Sequence, residues 1–127
     1  MNLRLRLTLA NDAGTEFFGR GLCDLLAGID ERGSIQASAR AMGLSYVKAL
    51  HILERVEREL GFSLVLRRHG GATRGGAELT PRAKAFLKAY GKMERSLLKA
   101  GERAFRPFEE AVEALGQAAD GGADGRP

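Results

Sequence analysis

The spacing of hydrophobic residues along this chain predicts short strands at its start and helices over most of its remaining length. Residues 3–9 alternate between leucine and polar side chains, a period of two that is typical of a half-buried strand. After a turn at residues 11–14, residues 15–18 can return as the second strand of a hairpin. From Gly19 the spacing becomes helical, and Gly33 ends this helix. Its apolar face holds Leu22, Leu25, Leu26 and Ile29.

Two amphipathic helices joined by a tight turn come next. Ser34 is a suitable N-cap for the short first helix, and Gly43 marks its end. Ser45 caps the longer second helix, which Gly61 ends. This order of short helix, turn and longer helix predicts a helix-turn-helix, whose second helix lies in the major groove of DNA. The residues expected to face the interior are Ile35, Ala39 and Met42 on the first helix and Ala49, Ile52, Leu53, Val56 and Leu60 on the second.

A small hairpin is predicted after the second helix. Residues 63–68 read as a strand, residues 69–76 as a flexible glycine-rich loop, and residues 77–79 as a short returning strand. Helices followed by such a hairpin predict a winged helix-turn-helix. The predicted fold class is mainly α with small β: a winged helix-turn-helix with an N-terminal β-hairpin and a long C-terminal dimerisation helix.

That C-terminal helix begins at Thr80-Pro81, an N-cap followed by proline at the first helical position. Apolar or small residues then recur in a seven-residue pattern for about three heptads, which favours pairing with a second helix. We expect Pro107 to break or kink the helix, with a second short helix after it. The predicted domains are residues 1–80, a helical dimerisation region at 81–118 and a disordered tail at 119–127. The candidate dimerisation residues are Phe86, Tyr90, Met93, Leu97 and Ala104.

Charge is concentrated in the second half of the chain. Residues 61–106 carry eleven basic and three acidic side chains, whereas residues 1–60 are balanced and residues 107–127 are acidic. A basic block beside a helix-turn-helix suits a polyanion, although a solvated charged helix would have the same composition.

The candidate DNA-contacting residues are Ser34, Ser45, Tyr46, Lys48, His51, Arg55, Arg67, Arg68 and Arg74. Of these, we expect Tyr46, Lys48 and His51 to contact bases or adjacent phosphates. We expect Ser45 to contact a phosphate and Arg55 to contact the DNA backbone. The alternative is that they form only a solvated helix face and a hairpin tip without a ligand.

Other chemistry has little support in the sequence. A single cysteine, Cys23, excludes an intrachain disulfide and a cysteine-based zinc site. The two histidines, His51 and His69, lack metal-ligand spacing and an evident nucleophile, so we expect no enzyme activity, cofactor or metal. We find no signal-peptide pattern or membrane-spanning run, and therefore expect a cytoplasmic protein.

The chain contains Gly43-Leu44-Ser45-Tyr46 and a glycine-rich segment at residues 70–81 that ends in Leu79-Thr80-Pro81. These two segments resemble the N-terminal DNA-binding domain of ModE-type molybdate-responsive transcriptional regulators. The similarity extends back through residues 29–35 and covers roughly residues 3–100. Glu59-Leu60-Gly61 and Leu79-Thr80-Pro81 also resemble LysR-type regulators, a related winged-helix family.

The resemblance implies a homodimer paired through the helix after the wing, with DNA recognition by the helix that begins at Ser45. The chain departs from the family at Val47 and Leu50, where a basic residue and a tryptophan are usual. The molybdate-binding region that normally follows is absent from these residues, so we expect double-stranded DNA as the partner and no molybdate site in this chain. Two alternatives remain open, a coiled-coil dimeric adaptor and a non-specific architectural DNA-binding protein.

Overall fold

The computed structural model describes residues 1–68 and 76–118, which form four helices and two small antiparallel sheets. The fold is therefore mainly helical with small β-sheets, as the sequence predicts. Residues 69–75 of the predicted loop, with Arg74, and the predicted tail 119–127 lie outside the described residues. The elements are β1 (Leu9–Ala10), β2 (Glu16–Phe18), α1 (Arg20–Arg32), α2 (Ile35–Ala41), α3 (Tyr46–Leu60), β3 (Val65–Arg67), β4 (Ala77–Leu79) and α4 (Pro81–Gln117).

Local chemistry at the helix ends explains most of these boundaries. The Ser34 hydroxyl accepts a hydrogen bond from the Ala37 N–H at 3.1 Å, which confirms the predicted cap of α2. The Thr80 hydroxyl does the same for the Ala83 N–H at 3.0 Å, at the start of α4. Gly61 ends α3 with φ of 83°, a left-handed conformation that favours glycine.

Residues Arg6–Lys92 form one compact unit. Its core combines side chains from both sheets and all four helices, so that α2 packs against α1 and α3 packs against α2. Phe18 of β2 lies edge-on to Phe86 and Tyr90 of α4, with ring centroids 4.8 and 5.0 Å apart. The Tyr90 hydroxyl donates to the Leu7 carbonyl at 2.7 Å, which ties the N-terminal segment to the same core. Cys23 is buried there.

A second unit consists of Met1–Leu5 together with the chain from Met93 onward. Within it, the N-terminal segment lies close to α4 at Gly101, where an added Cβ would be 2.5 Å from Leu5 Cδ1. Large apolar side chains of this unit remain exposed in the single chain, including Leu3, Leu97 and Phe108.

Three structural expectations are wrong. The alternating leucines do not form a strand over residues 3–9, because β1 contains only Leu9–Ala10, which pairs with β2. Met42 does not face the interior, since it is the C-cap of α2 and is 38% exposed. Pro107 does not end the helix, because α4 continues through it to Gln117. Pro107 lacks the N–H that would have bonded the Arg103 carbonyl, and both residues are exposed, so water can solvate that carbonyl.

Candidate nucleic-acid interface

The N-terminus of α3 is the start of the candidate interface. The Ser45 hydroxyl accepts a hydrogen bond from the Lys48 N–H at 3.1 Å, which confirms the predicted cap and fixes the first turn of the helix. Tyr46 and Val47 follow, and both are exposed, at 40% and 59%. The end of the helix that carries unpaired N–H groups therefore faces outward.

The two faces of α3 differ in burial as its amphipathic pattern requires. Ala49, Leu53 and Val56 are buried against the core, whereas Ile52 and Leu60 are only partly buried. The opposite face is exposed along its whole length. It carries Lys48, His51, Arg55 and Arg58.

The wing, which is the hairpin of β3 and β4, lies beside the start of α3. Arg67, the last residue of β3, donates from Nη1 to the Tyr46 hydroxyl at 3.1 Å. These two residues line a small cleft of about 120 Å³ together with Gln36 of α2 and Gly76 of the wing. The structure thus brings the first turn of α3, the start of α2 and the base of the wing to one surface. The sequence predicted Tyr46 and Arg67 as candidates, but not the contact between them.

Arg68 has a different partner from its neighbour Arg67. It forms an ion pair with Glu78 across the wing, with 3.6 Å between Arg68 Nη1 and Glu78 Oε1, and both side chains are about half exposed. Arg68 directly follows β3, and its N–H still donates to the Gly76 carbonyl at 2.8 Å, so the alternation of side chains along the strand extends to it and the two adjacent arginines meet different groups.

Arg55 contacts the N-terminal hairpin. Its Nη2 donates to the Glu16 carbonyl at 2.7 Å, and the Glu16 carboxylate accepts from the Thr8 hydroxyl at 3.0 Å. This contact joins residues 39 positions apart and holds β2 against α3. Sequence reasoning missed it, because nothing local to Arg55 indicates that β2 lies within its reach. The expected contact of Arg55 with the DNA backbone stays a prediction.

The candidate dimerisation residues divide into two groups. Phe86 is partly buried and Tyr90 is 3% exposed, and both pack in the core of the larger unit. Met93, Leu97 and Ala104 belong to the other unit and are exposed. In the single chain, only this second group is free to meet another molecule.

Neither a metal cluster nor a membrane span is found in the described part of the chain. Residues 1–68 and 76–118 contain no group of three or more His, Cys, Asp or Glu arranged to hold a metal ion. Within the same ranges, no helix is long and apolar enough to cross a membrane.

Comparison with known families identifies the central part of the chain. Residues 23–84 match the family described as bacterial regulatory helix-turn-helix protein, lysR family. These residues are a LysR-type helix-turn-helix domain. The match contains most of α1, all of α2, α3 and the wing strands, and ends in the first turn of α4.

Two similar proteins come from Rhodobacter capsulatus. The chain is 40% identical over 75 residues to the molybdenum-pterin-binding protein MopB, and 33% identical over 88 residues to the molybdenum-pterin-binding protein MopA. These alignments cover 59% and 69% of this chain, but only 28% and 33% of the two relatives. They confirm the resemblance to ModE-type proteins.

Solved structures confirm the fold. The crystal structure of the CbnR DNA-binding domain in complex with DNA superposes with a TM-score of 0.50 and 24% identity. That match covers 65% of this chain and 88% of the CbnR chain. Full-length CbnR, crystallised with its target DNA, gives the same TM-score but only 27% of that chain is covered. The LysR-type domain therefore has the winged-helix fold of these DNA-binding domains.

Proposed function

We propose that this chain is a transcription regulator that binds specific sequences of double-stranded DNA as a homodimer. In the proposal, α3 enters the major groove and the wing approaches the adjacent backbone. The observation that carries it is the exposed face of α3, whose first two turns carry Lys48 and His51 and whose capped N-terminus lies beside the wing arginines. The family match to bacterial regulatory helix-turn-helix proteins and the fold shared with a DNA-bound domain support it.

The first two turns of α3 have the properties that base and phosphate contact require. Tyr46, Lys48 and His51 are exposed, so they can reach a groove without any rearrangement of the core. Base-reading side chains cluster at the start of a recognition helix, and its N-terminus favours a phosphate. Ser45, whose hydroxyl accepts the helix-capping bond, lies at the same place and is also exposed.

The wing supplies further positive charge. Arg67 and Arg68 are exposed at its base, and we expect Arg74, beyond the described residues, to reach the backbone or a groove from the loop. Ser34 caps α2, whose first two residues line the cleft, and we expect it to contact DNA there. Each phosphate neutralised by a cationic side chain releases condensed counterions, which makes binding strongly salt dependent.

Homodimer formation is supported by the exposed apolar side chains of α4. Met93, Leu97 and Ala104 continue the seven-residue pattern, and the first two of these are 39% and 47% exposed. A pair of such helices buries this stripe and places two recognition helices on one duplex, with half-sites about one DNA turn or roughly 34 Å apart.

The experiment begins with selection of bound duplexes from a randomised library, followed by fluorescence anisotropy at several salt concentrations. We expect Lys48→Ala and Arg74→Ala each to weaken binding by about three- to tenfold and to reduce the salt slope by about one. Arg58→Ala is the matched control, because Arg58 is an exposed cation on the same helix but at its far end. We expect this variant to bind within about twofold of the unmodified protein.

The outcomes separate the alternatives. Unchanged affinity in both Lys48→Ala and Arg74→Ala contradicts the proposed surface, and an equal loss in Arg58→Ala indicates general charge attraction. An architectural protein would bind all duplexes alike, whereas an adaptor would show no duplex affinity. In the same assay we expect added molybdate to leave the affinity unchanged, because the proposal gives these residues no molybdate site.

A further inference from the structure

The hydrogen bond between the wing and α3 has a defined direction. Arg67 Nη1 lies 3.1 Å from the Tyr46 hydroxyl oxygen. A guanidinium carries only donors, so the phenol oxygen must be the acceptor. The hydrogen of the Tyr46 hydroxyl is therefore not used in this contact and remains available to a different acceptor.

This direction matters because of where Tyr46 lies. It is the first residue of α3, is 40% exposed, and borders the cleft at the start of the proposed DNA-binding surface. The positive charge of Arg67 polarises the O–H bond and makes the phenol a stronger donor. An unconstrained tyrosine hydroxyl can either accept a hydrogen bond from a base or donate one. The contact with Arg67 favours donation by the Tyr46 hydroxyl.

Resting on the DNA-binding function above, we propose that Arg67 is a positioning residue that holds the Tyr46 hydroxyl as a hydrogen-bond donor toward DNA. The group that Tyr46 contacts must then be an acceptor. In the major groove the acceptors are purine N7, guanine O6 and thymine O4, and on the backbone they are phosphate oxygens. The exocyclic amino groups of cytosine and adenine are donors and are disfavoured at this position.

Arg68 provides a natural comparison for Arg67. The two arginines have the same charge and adjoin each other at the base of the wing, but Arg68 is paired with Glu78. A contribution of charge alone would not depend on the Tyr46 hydroxyl for either arginine. A contribution that acts through Tyr46 belongs to Arg67 only.

A double-mutant cycle on a duplex selected from a random library tests the proposal. We expect Tyr46→Phe to weaken binding by about two- to tenfold, the value of one hydrogen bond. Arg67→Met should weaken binding more in the unmodified protein than in the Tyr46→Phe background, by at least about threefold. Arg67→Lys, which keeps a charged donor, should restore part of this coupling. Arg68→Met should weaken binding by the same factor in the unmodified protein and in the Tyr46→Phe background.

Repeating the selection with Tyr46→Phe identifies the acceptor. Loss of preference at one base pair indicates a base, and uniform weakening with unchanged preferences indicates a phosphate; both support the proposal. Equal effects of Arg67→Met in both backgrounds overturn it, and leave the DNA-binding function standing. If the unmodified protein binds no duplex, both proposals fail together. Thermal unfolding of each variant verifies that it is folded.

Discussion

The crossing of α1 and α2 leads to a quantitative prediction about the stability of the helix-turn-helix. A Cβ added at Gly28 of α1 would overlap the Ser38 hydroxyl of α2 and would lie 3.1 Å from Ser38 Cβ. Ser38 is 1% exposed, and its hydroxyl donates to the Leu25 carbonyl at 2.8 Å. The helices approach this closely because position 28 has no side chain, and the Ser38 hydroxyl fills the remaining space.

The expected free energies follow from these contacts. Gly28→Ala gains about 1 kcal/mol of helix propensity. It loses about 1–3 kcal/mol through overpacking, and about 0.5–1.5 kcal/mol more if the Ser38 hydroxyl turns away from Leu25. We therefore expect a net destabilisation of about 1–3 kcal/mol, and about 1 kcal/mol for Ser38→Ala alone. In the Ser38→Ala background, Gly28→Ala should change the free energy of unfolding by less than about 1 kcal/mol. The two changes should therefore couple by about 1–3 kcal/mol.

Urea unfolding followed by far-UV circular dichroism, at one fixed protein concentration, measures these differences. Gly21→Ala is the control, because Gly21 also lies in α1 but a Cβ there meets nothing within 4 Å. We expect this change to be neutral or to stabilise by up to about 1 kcal/mol. If the double variant is destabilised by the sum of the two single effects, to within about 0.5 kcal/mol, the argument that the Ser38 hydroxyl occupies the space beside Gly28 is refuted.

Three further predictions concern the cap of α3, the aromatic core and the exposed face of α4. Ser45→Ala should lower the unfolding free energy by about 1 kcal/mol through loss of the cap, and an unchanged urea midpoint would contradict this. Tyr90→Phe should cost about 1 kcal/mol by removing the bond to Leu7, and sedimentation should show an unaltered oligomeric state. Leu97→Glu should shift a dimer toward monomer in sedimentation at micromolar concentration, whereas exposed Lys99→Glu should not; equal behaviour of the two would count against a seam at Leu97.

Features that depend on local chemistry were predictable from the sequence. The caps at Ser34, Ser45 and Thr80 are set by a hydroxyl and an N–H three residues later, so the sequence alone contains both partners. The ends of α1 and α3 each depend on a single residue in the left-handed conformation, Gly33 and Gly61 respectively. The order of elements follows from these boundaries, and with it the exposed face of α3.

Features that depend on a distant partner were not predictable in this way. Alternating leucines satisfy the pattern of a strand, but a strand also needs a neighbour, and β2 pairs only with Leu9–Ala10. The contacts of Arg55 with Glu16 and of Arg67 with Tyr46 join residues 39 and 21 positions apart. Sequence identified three of these four side chains as candidates by type, while their partners depend on how the hairpin and the wing fold onto α3.

The seven-residue pattern of α4 shows why periodicity alone does not define an interface. Phe86 and Tyr90 satisfy the pattern but pack against Phe18 of the same chain. The exposed continuation from Met93 to Ala104 spans less than two heptads, a short seam compared with the three to four heptads of a sustained coiled coil. A stable dimer normally buries about 1,200–2,000 Å².

Other apolar side chains of the same unit must therefore take part if the proposed dimer is stable. Leu3 and Leu5 are 44% and 48% exposed, and they lie in the unit that contains Leu97 and Phe108. Leu5 already lies close to Gly101 of α4, so the N-terminal segment borders this part of the helix. Leu3 and Leu5 then have a physical reason other than strand pairing: in the proposed dimer they would add apolar surface to the short seam of α4.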